Sequence, residues 1–105
     1  MRSLLIFRAT AAACALLTAC PPTWAQDRAA IEAGEQLYDE HCANCHGEKL
    51  RATGSASDLR TLPADARARF DQAVLNGKGQ MPPWQGTLNE EELDQLWAYI
   101  RSRAR

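Results

Sequence analysis

The sequence predicts an all-α fold, and three observations carry that expectation. Three separate segments read as helical, the last with apolar residues at regular three- and four-residue spacing and the first two with looser apolar faces. No stretch of useful length alternates apolar with polar residues, as a half-buried strand would. The last segment opens on a complete helix-start signature, Asn89 followed three residues later by Glu92.

The chain begins with a segment that reads as a secretory signal over residues 1–25. Arg2 and Arg8 give it a positive start, and the run from Ala9 to Ala19 is apolar except for Thr10 and Thr18. That run is shorter than the roughly 20 residues needed to span a bilayer. Two processing routes are open. Thr23-Trp24-Ala25 is a small-x-small site behind the helix-breaking Pro21-Pro22, with cleavage before Gln26, and this is the preferred route. Leu17-Thr18-Ala19-Cys20 resembles a bacterial lipoprotein box, which would place a lipid anchor on Cys20. Both routes export residues 26–105 as one domain, expected in the periplasm as a monomer, with no transmembrane span in the mature chain.

The first helix is expected from about Ala29 to Cys42, with Ile31, Leu37 and Tyr38 on its apolar face. Gly34 is out of place in its interior, where glycine costs about 1 kcal/mol. A helix that keeps such a glycine often does so for close packing. A polar, irregular stretch follows to about Leu62. Pro63 suits the first turn of a second helix running to Asn76, with Gly77 as its C-cap and Phe70, Val74 and Leu75 on its apolar side. Lys78 to Gly86 is a loop, because the adjacent Pro82 and Pro83 forbid a regular helix or a central strand. Asn89 and Glu92 then form a capping box for the last helix, flanked by the hydrophobic pair Leu88 and Leu93. Acidic Glu90, Glu91 and Glu92 suit its positive end, and Arg101, Arg103 and Arg105 its negative end. Leu93, Leu96, Trp97 and Ile100 recur at helical spacing, with Tyr99 beside them.

Composition narrows the function. The 105 residues carry 12 Lys and Arg against 13 Asp and Glu, which excludes a basic nucleic-acid binder. A 46% hydrophobic content with 24% charged residues excludes a disordered chain. Without Arg2 and Arg8, the domain holds 10 basic and 13 acidic residues, a net charge of −3. A domain of this size buries a thin core and usually needs a disulfide, a metal or a cofactor to hold it. After the leader, what remains for that purpose is Cys42, Cys45, His41, His46 and Met81.

Cys42-Ala43-Asn44-Cys45-His46 is the attachment signature of a c-type haem. Two thiols three residues apart can reach the two vinyl groups on adjacent pyrroles of one porphyrin, and the next residue then places an imidazole over the iron. Three plainer readings stand beside it: a thioredoxin-like redox pair, which normally accompanies a βαβ pattern absent here, a structural zinc site, which needs four ligands, and a small disulfide loop, which would stabilise little. His41 shares the helical turn of the motif, so it cannot reach the opposite face of a ring. Met81 is the one methionine beyond the leader, in a proline-stiffened loop, and is expected as the second axial ligand beside His46. Ligation by His and Met raises the potential, because the thioether donates weakly. A filled iron argues for one-electron transfer and against catalysis. The competing expectation, a haem enzyme or gas sensor, requires an open iron.

Gly34, Tyr38, the motif through Gly47, Met81-Pro82 and Leu96-Trp97-Ala98-Tyr99 together resemble the class I c-type cytochromes over essentially the whole mature chain. The resemblance implies three to four helices around one haem c, covalently attached through Cys42 and Cys45, with crossing N- and C-terminal helices. It implies that Gly34 and Tyr38 meet Tyr99. The stretch between His46 and Met81 is shorter than in the family's mitochondrial members, which implies a more exposed haem edge. Asp58-Leu59-Arg60, Phe70 to Gly77 and Met81-Pro82-Pro83-Trp84 are further similar to the haem c domains of quinohaemoprotein alcohol dehydrogenases and their partner cytochromes. The implied role is a periplasmic electron carrier between a dehydrogenase as donor and an oxidase or other cytochrome as acceptor. The alternative is a tethered haem subunit of a larger dehydrogenase or oxidase complex. Trp84 and Arg60 are candidates to hydrogen-bond haem propionates, against the plainer readings of core and surface charge. Lys49, Arg51 and Lys78 are candidates to steer an acidic partner, against that of ordinary solvated charges.

Overall fold

The computed structural model of the chain describes Ala13 and residues 23–105. The lipoprotein-box reading at Leu17 to Cys20 and Pro21-Pro22 lie outside the described residues, whereas Thr23-Trp24-Ala25 falls within them. Among those described, α1 (Thr23–His41), α2 (Ala43–His46), α3 (Arg67–Asn76) and α4 (Glu90–Ser102) are joined by loops containing two short 3-10 turns, Glu48–Leu50 and Leu59–Thr61. There is no strand among these residues, only the isolated bridges Lys78–Met81 and Gln85–Leu88.

The first and last helices form the frame. They cross at Gly34, where a Cβ atom would overlap the carbonyl oxygen of Gln95 and crowd the Cβ of Tyr99. A side chain at position 34 would therefore hold the helices apart, and this explains the glycine the sequence left in a helix interior. Beside the crossing, Tyr38 and Tyr99 pack with ring centroids 5.4 Å apart at a 54° tilt. Aromatic pairs in such geometry contribute about 0.5–1.5 kcal/mol beyond their burial. Tyr38, Leu96, Tyr99 and Ile100 are almost completely buried, with Leu93, Phe70, Val74, Leu88 and Leu50 completing one core.

The capping box of α4 forms as expected. Asn89 Oδ1 accepts from the Glu92 amide at 2.8 Å, and the Asn89 amide donates to Glu92 Oε1 at 3.1 Å. Leu88 and Leu93 are both buried beside it.

Three boundaries differ from the sequence reading. Helix α1 starts at Thr23, inside the segment read as leader, and ends at His41; Cys42 starts the separate turn α2 instead. The stretch read as wholly irregular contains the two 3-10 turns. Helix α3 starts at Arg67 and not at Pro63. The cause lies at Leu62, whose carbonyl accepts from Arg101 Nη1 at 2.7 Å while its backbone stays extended. The chain leaves that point in a turn, with the Ala66 amide donating to the Pro63 carbonyl at 3.0 Å, before the helix can begin. Arg67 then fastens the start of α3, donating to Asp71 at 2.8 Å and to Asp94 of α4 at 2.6 Å. Among the described residues, no helix is long and apolar enough to cross a membrane.

Candidate functional site

The site begins where α1 ends. The Cys42 amide closes α1 on the Tyr38 carbonyl at 2.8 Å, and the Cys42 carbonyl then accepts from the amides of Cys45 (3.2 Å) and His46 (3.0 Å). Cys42 at the N-cap of α2, and Cys45 and His46 within it, are thus gathered on one short turn. Both thiols are free, Cys42 half-buried and Cys45 exposed. Burial, and secondarily the nearby Cys45, pushes the Cys42 thiol up to about 11. A redox dithiol needs the opposite, a thiolate stabilised below its usual range. The described residues include no group of three His, Cys, Asp or Glu side chains able to hold a metal ion, which leaves the zinc reading without its ligands.

His46 is oriented by the backbone. Its Nδ1 lies 3.2 Å from the carbonyl oxygen of Ser57. A carbonyl can only accept, so Nδ1 carries the proton and the Nε2 lone pair is left for another partner. Metal-ligating histidines have this arrangement, with the far nitrogen fixed by a carbonyl or carboxylate. The next residue, Gly47, has φ 87° and ψ 156°, a conformation essentially confined to glycine, and a Cβ there would overlap the Arg51 carbonyl. The Gly47 carbonyl accepts a 2.6 Å hydrogen bond from the buried Tyr38 hydroxyl. Burial first, then the neighbouring Cys42, raises the Tyr38 phenol to about 12. Leu50 follows with φ 64°, unusual for a non-glycine residue, and turns its side chain into the core.

Met81 sits on a loop held by paired backbone hydrogen bonds, Lys78 amide to Met81 carbonyl at 3.1 Å and Met81 amide to Lys78 carbonyl at 3.0 Å. Trp84 and Gln85 tie the loop to the end of α3, their amides donating to Val74 (2.8 Å) and Leu75 (3.2 Å). Cys42, Met81 and Trp84, all partly buried, pack against the same core cluster, so the fold brings one motif cysteine and the methionine loop to a common apolar body. The structure adds partners that the sequence reading did not anticipate. The ring of His41 lies 5.0 Å from that of Trp84, and its Nε2 is 3.7 Å from Glu40.

The guanidinium of Arg60 holds Asp58 through both carboxylate oxygens at 3.0 Å each, and keeps the Asp58 carboxyl below the usual carboxylate range. Lys49, Arg51 and Lys78 are exposed. Lys49 and Arg51 join Arg60, Arg103 and Arg105 around an electropositive cleft of about 490 Å³ beside Tyr99, none of whose lining residues belongs to the motif or the methionine loop. The Ser57 carbonyl was invisible to sequence reasoning, because a backbone acceptor leaves no residue-type signal. The Asp58–Arg60 pair was not read from the sequence, although opposite charges two residues apart were a signal for it.

The free thiols on one turn, the histidine with an available Nε2 and the loop-borne thioether fit a covalently attached haem. Together with the crossing terminal helices they define a c-type cytochrome domain. The family model described as cytochrome c oxidase, cbb3-type, subunit III matches residues 29–100, and the chain belongs to this family of cytochrome c domains. The chain is 35% identical over 86 residues to the quinohaemoprotein alcohol dehydrogenase ADH-IIG of Pseudomonas putida, a match covering 80% of this chain and 12% of the enzyme. The solved structure of that enzyme superposes with a TM-score of 0.67 and 33% identity, over 80% of this chain and 13% of the other. Cytochrome c6 of Tetradesmus obliquus is 35% identical over 83 residues, covering 68% of this chain and 88% of that protein. Cytochrome cL of Methylophaga aminisulfidivorans shares the fold, with a TM-score of 0.63 and 23% identity over 77% of this chain and 57% of the other. The chain therefore spans only about an eighth of the length of the alcohol dehydrogenase it matches. Its cofactor is one covalently attached haem c, and the cysteines that such attachment requires are present at positions 42 and 45. Members of the family are electron carriers.

Proposed function

We propose that the chain is a periplasmic monohaem cytochrome that passes single electrons from a dehydrogenase, of the quinoprotein alcohol dehydrogenase class, to a respiratory acceptor. In this reading Cys42 and Cys45 would carry the two thioether bonds, and His46 and Met81 would hold the haem iron. The observation that carries it is the His46 ring, whose Nδ1 is engaged by the Ser57 carbonyl at 3.2 Å so that Nε2 alone is available. Haem, when bound, supplies Fe(III)/Fe(II) exchange without making or breaking bonds in a substrate. The protein's own residues anchor, orient and enclose. Cys42 and Cys45 anchor from a single helical turn. The N–H donated by His46 makes its imidazole a stronger donor. Paired hydrogen bonds to Lys78 keep Met81 in place, and Phe70, Val74 and Leu88 supply the apolar surroundings. Exposed Lys78, Lys49 and Arg51 steer an acidic partner.

Mass spectrometry under denaturing conditions tests the attachment. The chain should carry the mass of one haem, and Cys42→Ala/Cys45→Ala should lose it. Stopped-flow mixing with a purified, reduced quinoprotein dehydrogenase tests the role; no electron exchange with any such enzyme would remove the donor assignment. A second reading, a haem subunit held in a larger complex, is supported by the small fraction of the alcohol dehydrogenase that the chain spans. The mature N-terminus separates the two, since Gln26 fits the shuttle and a lipidated Cys20 the tethered form.

A further inference from the structure

The exposed Ser57 carbonyl accepts from His46 at 3.2 Å, and such a bond is easily lost to water unless the backbone that presents it is fixed. The residues just after Ser57 are fastened several times over. Asp58 Oδ1 accepts from the Arg60 amide at 3.0 Å, and the Asp58 carbonyl accepts from Thr61 through Oγ1 at 2.8 Å and through its amide at 3.2 Å. Arg60 then clamps both Asp58 oxygens. These bonds shape the turn at Leu59–Thr61 but do not say where it sits. Its position comes from the far end of the chain. Arg101, in the last turn of α4, donates from Nη1 to the Leu62 carbonyl at 2.7 Å across 39 residues of sequence. The Arg105 amide donates to the Arg60 carbonyl at 3.0 Å, and the Arg105 guanidinium is 3.9 Å from Asp58. Arg101 is itself steadied over the Trp97 ring, 6.0 Å from its centroid.

We infer that the C-terminal end of α4 is a clamp for the proximal side of the site: Arg101 and Arg105 are positioning residues that hold the 58–62 turn on the helical frame, and through it the Ser57 carbonyl against His46. This rests on the reading of His46 as the axial ligand and extends it to residues more than fifty positions away. A bond from N–H to a carbonyl enriches the imidazole in electron density, which favours Fe(III). Releasing the turn weakens that bond and shifts the equilibrium toward Fe(II).

The test uses the haem-loaded protein and three variants. Arg101→Ala removes the donor to Leu62; Arg101→Lys restores a cationic donor on a shorter stem; Arg105→Pro removes both the amide that donates to the Arg60 carbonyl and the guanidinium near Asp58, on an exposed tail where folding is not at stake. Two readouts are taken: the reduction potential, and the rate at which the His46 Nδ1 proton exchanges with solvent in NMR spectra. The expected result is faster exchange in Arg101→Ala and Arg105→Pro, with a shift of about threefold toward Fe(II) at fixed ambient potential, on a scale where tenfold is 59 mV. Arg101→Lys should lie between them and the wild type. If Arg101→Ala and Arg105→Pro fold yet leave both potential and exchange unchanged, the clamp is wrong. If the wild type shows no ligated His46 signal, the ligand assignment beneath it fails instead, so the two failures are distinct.

Discussion

The crossing of α1 and α4 and the short turn and loop that present His46 and Met81 are built by different physics. The crossing is made of side chains. Gly34 admits the Gln95 backbone, Tyr38 meets Tyr99, and Leu93, Leu96 and Ile100 fill the space around them. The loops are made of backbone. Gly47, Lys49 and Leu50 take positive φ, the Ser57 carbonyl orients His46, and paired amide bonds hold Met81. The first region stabilises by removing apolar surface from water, and the second by giving specific polar groups specific partners. The frame should therefore respond to changes of volume, and the loops to the loss of single hydrogen bonds.

The largest expected effect is on the frame. Gly34→Val forces the helices apart against Gln95 and should cost about 3 kcal/mol, at the upper end for overpacking. Guanidinium unfolding of the haem-loaded protein measures it. A loss below about 1 kcal/mol would mean that the crossing yields more easily than its geometry implies.

Tyr38 joins the two regions, since its ring belongs to the crossing and its hydroxyl reaches the Gly47 carbonyl. Tyr38→Phe keeps the ring and leaves that carbonyl without its partner, at a cost of about 1–2 kcal/mol. It should also change the alkaline limb of stability. The folded phenol sits at about 12, above the ordinary tyrosine value of about 10, so the unfolded chain loses its proton first as pH rises. Stability from this group is complete below pH 10 and falls as pH climbs toward 12, and the variant should lack that fall.

The smallest effect belongs to the 58–62 turn. Arg60 holds the Asp58 carboxyl below the usual range, so the unfolded chain binds its proton first as pH falls. The contribution is present above the ordinary carboxylate range, about pH 4, and fades as pH drops through the lowered value. Asp58→Asn should flatten this acid limb in a series of denaturation midpoints, and an unchanged profile would show that the pair does not stabilise the fold.

The frame was legible because its cues are residue types. A helix-interior glycine, two tyrosines, an Asn–Glu capping box and a helical run of Leu, Trp and Ile all point to one arrangement, and the structure has it. The motif was legible for the same reason, as Cys, Cys and His at fixed spacing. The start of α3 was not. Pro63 is a good first residue of a helix, but the Leu62 carbonyl is bound by Arg101, a contact across 39 residues that no local signal reports. The end of α1 was misplaced by one residue because Cys42 breaks the helix and starts the next turn. The Ser57 acceptor carries no side-chain signature. Arg60 was a candidate for propionates on its chemistry, and the structure pairs it with the carboxylate two residues before it.

The central proposal is that His46 and Met81 would together hold the haem iron. The most direct test is the absorption spectrum of the oxidised, haem-loaded protein, read beside carbon monoxide binding to the reduced form. The expected result is the weak far-red band of thioether–Fe(III) ligation and little binding of carbon monoxide, with Met81→Ala losing the band and binding the gas readily. A wild-type protein that lacks the band and takes up carbon monoxide as readily as the variant would contradict the account.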